Sequence, residues 1–237
     1  MATKASGEET SRAMREAAVR LIALHGFHGV NLRQLAEEIG IKAGSLYNHI
    51  ENKQDLLFVL LRGIMQDLVA GVREQVQQTQ GTLPRLCVFI AAHVDFHTRR
   101  KDEVFIGTME LRSLTPEHRQ VLISLRTEYE NILQNLVDTG IQERVFHVPE
   151  SRIATFAILN MLNGVAVWFR KDGKFSIEDL QRFYVDLTLN LLGTSPAVQE
   201  LVRFTPLSAP APASLPAEPK HPARRRTARK SLALKNA

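Results

Sequence analysis

The chain has 237 residues, 44% of them hydrophobic, which is an ordinary fraction for a soluble globular protein of one or two domains. Its single cysteine, Cys87, excludes an intramolecular disulfide and a cysteine-based zinc site. Cys87 lies in the apolar run 86–90, so we interpret it as a buried core residue. No run of eighteen apolar residues and no signal-peptide pattern occurs, and we therefore expect a cytoplasmic protein with no membrane partner.

The net charge of +5 is unevenly distributed along the chain. Residues 205–237 contain seven basic residues and one acidic residue, whereas residues 1–55 contain seven of each. Six of the ten prolines also lie in 205–237, and this composition predicts a disordered tail. Two interpretations of the tail stay open: it is a solvated segment without consequence, or it adds non-specific attraction to phosphates.

The first 52 residues predict three short helices separated by two glycine-containing turns. The first helix ends at Gly26, and the second begins after Asn31, whose pairing with Gln34 is typical of a capping box. Gly40 ends the second helix, and residues 42–49 form the third. Two helices joined by a tight turn are the geometry that places a recognition helix in a DNA major groove.

Small and polar side chains on the outer face of the third helix suit contacts with base edges. A lysine can donate to guanine, an asparagine can pair with adenine, and an alanine can contact a thymine methyl group. Side chains at the end of this helix and at the start of the next can reach phosphates, and an inert three-helix bundle would not require them to be exposed together. The candidate DNA-binding residues are Arg33, Lys42, Ala43, Gly44, Ser45, Tyr47, Asn48, His49 and Lys53.

The span 10–57 resembles the DNA-binding domain of the TetR/AcrR family of bacterial transcriptional repressors. The resemblance rests on the helix-one AA..L pattern followed by GFHGV, LAEEIGI and GSLYNHIENKQDLL, in that order and spacing. It implies that Tyr47, His49 and Lys53 contact phosphates and that the outward residues of the third helix contact bases. The sequence departs from the family pattern at Lys42, where many members have a serine, and at Ile50, where an aromatic residue is common.

The remainder of the chain predicts an all-α body of about six helices, because no alternating apolar and polar run is long enough for a sheet. Thr115 and Ser176 are expected as N-terminal caps of two of these helices. The predicted helices span about 53–80, 82–100, 102–113, 115–140, 149–170 and 176–192. We predict three segments: a helix-turn-helix DNA-binding domain at 1–52, a helical effector-binding and dimerisation domain at 53–204, and the tail at 205–237.

The predicted helix at 149–170 is apolar over most of its circumference. Such a helix is expected to be buried by its own chain and also by a second chain. The family resemblance implies that the helices at about 149–170 and 176–192 form a four-helix bundle across a two-fold axis. A symmetric dimer carries two DNA-binding heads, so its partner is expected to be a palindromic double-stranded DNA operator.

No phosphate-binding glycine loop, nucleophile elbow or HExxH motif occurs, so we expect neither an enzyme nor a cofactor. His93 and His97 have the spacing of a metal-binding pair, but a third ligand would have to come from distant chain, which favours structural or pocket-lining histidines and no metal. The segments 110–118 and 160–170 resemble those of TetR relatives that sense acyl-coenzyme A thioesters. The candidate effector-binding residues are His93, His97, Arg112, Asn160, Asn163, Gly164, Trp168 and Arg170.

These patterns predict a ligand-responsive transcriptional repressor that a small hydrophobic or acyl-CoA-type effector releases from its operator. An alternative to effector binding has equal weight: Trp168 and Phe169 belong to a dimer core, and Arg112 and Arg170 lie on the surface. The alternatives are a repressor of drug efflux that responds to hydrophobic drugs, a ligand-binding adaptor without operator binding, and a small all-α enzyme. The outward residues of the third helix argue against the adaptor, and the missing catalytic motifs argue against the enzyme.

Overall fold

The computed structural model describes residues 7–47, 50–203 and 207, and within them it contains helices and no β-strand. The first three helices, which we call the head, are α1 (Gly7–Gly29), α2 (Leu32–Glu38) and α3 (Ala43–Leu46). The following helices, which we call the body, are α4 (Lys53–Gln78), α5 (Thr82–Arg99), α6 (Lys101–Met109), α7 (Pro116–Gln142), α8 (Ser151–Asn163), α9 (Val165–Trp168), α10 (Ile177–Leu191) and α11 (Pro196–Arg203), with a 3₁₀ turn at Glu110–Ser113 after α6. The prediction of an all-α protein is confirmed. In the part of the chain that the structure describes, no helix is long and apolar enough to cross a membrane.

The helix boundaries follow the caps that the sequence predicts. Asn31 Oδ1 accepts the amide of Gln34 at 2.8 Å, and Gln34 Oε1 accepts the amide of Asn31 at 3.1 Å. Ser176 and Asp179 form the same reciprocal arrangement before α10, and Thr115 caps α7. Each cap satisfies amide groups that the first helical turn leaves without an intrahelical partner.

Helix α1 contains a sharp change of direction at Gly26, whose backbone has φ 71° and ψ 160°. Only glycine adopts this combination without strain. The regular helix therefore ends at Gly26 as predicted, and residues 27–29 add a further turn before α2.

The prediction of one continuous helix at 149–170 is wrong. The structure has α8 and the short helix α9, which are separated at Gly164. The Gly164 carbonyl accepts the Val167 amide, three residues on, so the chain leaves the α-helical hydrogen-bond register. Phe169 then adopts extended backbone with φ −59° and ψ 139°, and its buried ring ends the helix two residues earlier than predicted. Helix α11 was not predicted from the sequence.

Helix α5 lies at the centre of the body and contacts α4, α7, α8, α9, α10 and α11. Its buried side chains include Phe89, Ile90 and Cys87, which confirms the interpretation of the cysteine as a core residue. Burial raises the pKa of the Cys87 thiol to about 12, so the thiol is protonated at neutral pH.

The apolar core of the head is completed by residues of the body. Leu35, Leu46 and other head residues form one buried cluster with the first half of α4, and Ile106 and Leu122 of the body belong to the same cluster. The boundary between residues 52 and 53 therefore stays a prediction, since α4 packs in both parts of the molecule.

Candidate DNA-binding surface and effector region

Helices α2 and α3 are held by a tight turn at Gly40, which has a φ of 70°. The amide of Ile41 donates to the carbonyl of Ala36 at 3.0 Å, which closes the end of α2. Leu35 and Leu46 are fully buried and fix the two helices against the head core. The opposite side of α3 is consequently left on the surface.

The structure leaves most of the predicted DNA-binding residues exposed, and four of them lie in α3 or next to it. Tyr47 follows α3 directly, and 58% of its side chain is exposed although it is aromatic. Ala43 is half-buried, and Asn48 and His49 lie outside the described residues. The exposed members of the predicted set are Arg33, Lys42, Gly44, Ser45 and Tyr47.

Lys53 differs from the other candidates because its ammonium group already has partners within the head. Its Nζ lies 4.5 Å from the centroid of the Phe27 ring and 3.3 Å from the carbonyl oxygen of His28. Partial burial lowers the pKa of Lys53, and the negative charge of Glu110 opposes that shift. An ammonium group has three donors, so these contacts leave capacity for a phosphate oxygen.

A polar cluster lies between α5, α7 and α8; its α5 and α7 members are buried and its α8 member, Asn163, is exposed. The rings of His93 and His97 are stacked, with centroids 3.7 Å apart and planes 7° from parallel. His93 Nδ1 lies 2.8 Å from the Tyr129 hydroxyl oxygen, and Asn163 is hydrogen-bonded to His97. His93 Nε2 is buried and has no hydrogen-bond partner among the described residues. Such an unpaired buried nitrogen costs about 1–3 kcal/mol unless a ligand or water satisfies it.

Burial also makes both histidines neutral near pH 7. It lowers the pKa of His97 to about 4, and it lowers the pKa of His93 well below the ordinary value, with a further contribution from His97. Burial raises the pKa of Tyr129 well above its ordinary value. The cluster therefore offers uncharged hydrogen-bonding groups in an apolar environment.

Described contacts join only some of the eight predicted effector-binding residues to one another. His93, His97 and Asn163 lie together, and Gly164 follows Asn163 at the end of α8. Asn160 is exposed and donates to the carbonyl of its own helix residue Phe156 at 2.8 Å. Among the described residues, no hydrogen bond or ring contact joins the remaining three to the histidines: Arg170 is exposed, Trp168 is 49% exposed and hydrogen-bonds Tyr184, and Arg112 lines a cleft against the head.

Two residues that the sequence did not single out contribute to these regions. Tyr129 occupies one apolar position of a long helix, and only the packing of α7 against α5 brings its hydroxyl to His93. Glu110 has the sequence context of a solvated carboxylate, yet it accepts a hydrogen bond from the amide of Phe27 in the head. Within the described ranges 7–47 and 50–203, no group of three or more His, Cys, Asp or Glu side chains is arranged to hold a metal ion.

Comparison with known proteins matches both parts of the chain. Residues 15–60 match the model of the family described as bacterial regulatory proteins, tetR family, and residues 79–192 match the tetracyclin repressor-like C-terminal domain. The two models together cover about two thirds of the chain.

Individual relatives span most of the same length. The fatty acid metabolism regulator protein of Bacillus subtilis is 24% identical over 74% of this chain and 91% of its own. The transcriptional repressor KstR2 of Rhodococcus jostii is 25% identical over 80% of this chain and 93% of its own. The crystal structure of AibR in complex with isovaleryl coenzyme A and operator DNA has 26% identity and a TM-score of 0.68, covering 78% of this chain and 98% of AibR. The chain belongs to the TetR family of bacterial regulatory proteins.

Proposed function

We propose that this protein is a ligand-responsive transcriptional repressor, which binds a palindromic operator as a homodimer and is released by a small hydrophobic or acyl-CoA-type effector. The observation that carries the proposal is the exposed surface of α3 and its flanks, on a head whose other side is anchored in the body. A ligand bound in the body can change operator affinity only if the ligand binds more tightly to one arrangement of the two heads than to another.

The chemistry of the exposed surface supports DNA as the partner. Lys42 offers a donor for guanine or phosphate, Gly44 permits close approach of the backbone, and Ser45 can donate or accept. Tyr47 and Lys53 are proposed to contact phosphates, and the similarity to AibR, which was crystallised with operator DNA, favours this assignment. Asn48, His49, Arg33 and Ala43 complete the proposed contact set.

The body supports a dimer through α8 and α10. Both helices have large apolar side chains that this single chain leaves exposed, including Ile153 on α8 and Phe183 and Leu187 on α10, with exposed fractions of 68%, 59% and 47%. A second copy of the chain would remove these groups from water. Two symmetric heads would then contact the two half-sites of a palindrome.

The buried histidines His93 and His97, together with the exposed Asn163 that hydrogen-bonds His97, support an effector with a hydrogen-bonding group attached to an apolar chain. The unpaired His93 Nε2 can bond the carbonyl oxygen of an acyl group, provided that nitrogen carries the proton. The relative AibR was crystallised with isovaleryl coenzyme A, and this favours a CoA thioester. Four further predicted residues have no described contact with the two histidines. We propose that they bind other parts of such a ligand: Asn160, Arg112, Trp168 and Arg170.

A gel shift on the DNA upstream of the protein's own gene tests the proposal. We expect a saturable shift that is reversed by acyl-CoA thioesters but not by free CoA, free fatty acids or hydrophobic drugs. Release by drugs alone would instead favour a repressor of drug efflux. If neither this DNA nor a randomised operator library is bound with sequence preference, the proposal of a repressor is wrong, and a ligand-binding adaptor is favoured instead.

A further inference from the structure

Helix α6 and Glu110, which follows it, connect the predicted effector region to the head. We infer that Glu110 is the residue through which the body sets the orientation of the head, with α6 as the rigid link. This inference rests on the proposed function only where it concerns operator binding. Its mechanical part concerns this chain alone and can be tested without DNA.

At the head end, the Glu110 carboxylate holds the backbone of the turn after α1. Glu110 Oε1 accepts the amide of Phe27 at 3.0 Å. Gly26, with φ 71° and ψ 160°, breaks the helical conformation immediately before that amide. The carboxylate also exerts an attractive electrostatic interaction on Lys53, whose ammonium lies over the Phe27 ring. Glu110 therefore interacts with the turn after α1 in the head and with Lys53 at the start of α4, which is itself a proposed DNA-binding residue.

The second oxygen of the carboxylate is fixed by the body. Ser113 Oγ donates to Glu110 Oε2 at 2.7 Å, and the Ser113 carbonyl accepts from Gln54 Nε2 at 2.9 Å. Gln54 belongs to α4, so the 3₁₀ turn is tied to the helix that connects head and body. A carboxylate with both oxygens engaged has one orientation, which makes its bond to the head directional.

At its other end, α6 is attached to the segment after α9. Lys101 Nζ donates to the carbonyl oxygen of Phe169, one residue beyond α9. This segment continues from Asn163, which hydrogen-bonds the buried His97. Helix α6 has nine residues and is about 14 Å long, so a displacement of the α8–α9 segment reaches Glu110 through one short rigid element.

The ion pairs between head and body are weaker candidates for this role. Arg15 of α1 contacts Asp67 at 2.7 Å and Glu103 at 3.3 Å, and Arg100 pairs with the same two carboxylates. The side chains of Arg15 and Asp67 are 37% and 44% exposed. The exposed Arg15–Asp67 pair contributes little and tolerates reorientation. Glu103 is 21% exposed, so the Arg15–Glu103 pair is a second contact between α6 and the head, whereas the amide of Phe27 has its direction set by the backbone.

Hydrogen exchange of the full-length protein, measured by mass spectrometry on a peptide that contains the Phe27 amide, tests the inference. We expect at least tenfold faster exchange in Glu110→Ala and exchange within twofold of wild type in Glu110→Gln, whose amide oxygen can still accept from Phe27. Glu143→Ala, at an exposed carboxylate with no described side-chain contact, is the matched control and should behave as wild type. Equal exchange in Glu110→Ala and wild type would overturn the inference.

The link through α6 is tested from its far end. Lys101→Met removes the bond to Phe169 and should accelerate exchange of the Phe27 amide at least threefold in the wild-type background. It should have no further effect in Glu110→Ala, because both changes act on one connection. Equal and additive effects in the two backgrounds, or no effect of Lys101→Met, would show that α6 does not transmit.

Operator affinity then relates the link to function. We expect Glu110→Ala to bind the upstream DNA at least fivefold more weakly than wild type, because a loosened head must be ordered on binding, while Glu110→Gln and Glu143→Ala stay within twofold. Affinity of Glu110→Ala equal to or above that of wild type would refute the functional role. If wild type itself binds no DNA, the proposed function fails, and the exchange measurements still decide whether Glu110 links body and head.

Discussion

The stacked pair of His93 and His97 is a buried polar feature whose consequences are independent of any ligand. Both rings are enclosed, and burial holds the pKa of each below the value near 6.5 that an unfolded chain would have. The folded protein therefore resists protonation of these groups, whereas the unfolded chain accepts it. Stability that rests on the neutral pair is fully present above about pH 6.5 and is lost as the pH falls toward 4.

We predict that the free energy of unfolding falls by about 2 kcal/mol for His97 alone between pH 7.5 and pH 5, with a further loss from His93. Urea titrations at a series of pH values measure this dependence. His97→Phe, which keeps a ring of similar shape, should flatten the pH dependence, and His147→Gln, at an exposed histidine, should not. A pH dependence that His97→Phe leaves unchanged would contradict the assignment.

The sequence predicted part of this cluster. The spacing of His93 and His97 places them one helical turn apart, which is sufficient to predict that they share a face. The spacing could not predict the contact between His93 and Tyr129, which lies 36 residues later in the chain, because that contact depends on how α5 and α7 pack in the folded body. Nor could it distinguish a buried neutral pair from a metal-binding pair, since that depends on burial.

At the scale of single elements, helices α8 and α10 share a property that one chain does not explain. Their buried faces join the body core, yet each also exposes large apolar side chains. Phe183 and Leu187 are one turn apart on α10, and Phe156 on α8 is 40% exposed. Full burial of one such side chain contributes about 1.5–3 kcal/mol, so a face of this kind repeated across a two-fold axis favours association.

We predict that the double substitution Phe183→Glu and Leu187→Glu converts a dimer into a folded monomer, because four buried charges would have to lose water at a symmetric interface. Sedimentation equilibrium gives the mass, and circular dichroism verifies the helical fold. Ile123→Glu changes a comparably exposed apolar side chain on α7 and should leave the dimer intact. An unchanged dimer in the double variant would place the interface elsewhere.

Elements with local signals were predicted well, and those that depend on packing were not. The caps at Asn31 and Ser176 need only residues three positions apart, so both helix starts were predicted. The separation of α8 from α9 was not predicted, because the hydrophobic pattern continues through Gly164 without a change of period. The early end of α9 was not predicted either, because it accompanies the burial of Phe169 in the body core, which is a tertiary effect.

At the scale of the whole molecule, the head is not an independent unit. Ile106, Leu114 and Leu122 of the body complete its apolar cluster, and Glu110 bonds the turn after α1. No pattern within residues 1–52 reveals these contacts, because their partners lie more than 50 residues away. Since head and body share a core, a change of packing in the body can alter the position of the head.

The distribution of charge adds a second property of the whole chain. The net charge of +5 reflects the basic residues in 205–237, which, apart from Leu207, lie outside the described residues. The balanced charges of 1–55 imply that the proposed DNA recognition depends on a few placed contacts rather than on a general positive field. Individual substitutions on the head should therefore have large effects.

The most direct test of the central claim is the affinity of the full-length protein for fluorescently labelled upstream DNA, measured by anisotropy. Lys42 and Tyr47 are both exposed, so the double variant Lys42→Ala and Tyr47→Ala should keep the oligomeric state and the melting temperature of wild type. We predict that it binds this DNA at least 100-fold more weakly, because two contacts are lost from each of two heads. Binding within threefold of wild type would contradict the assignment of this surface as the DNA-binding site.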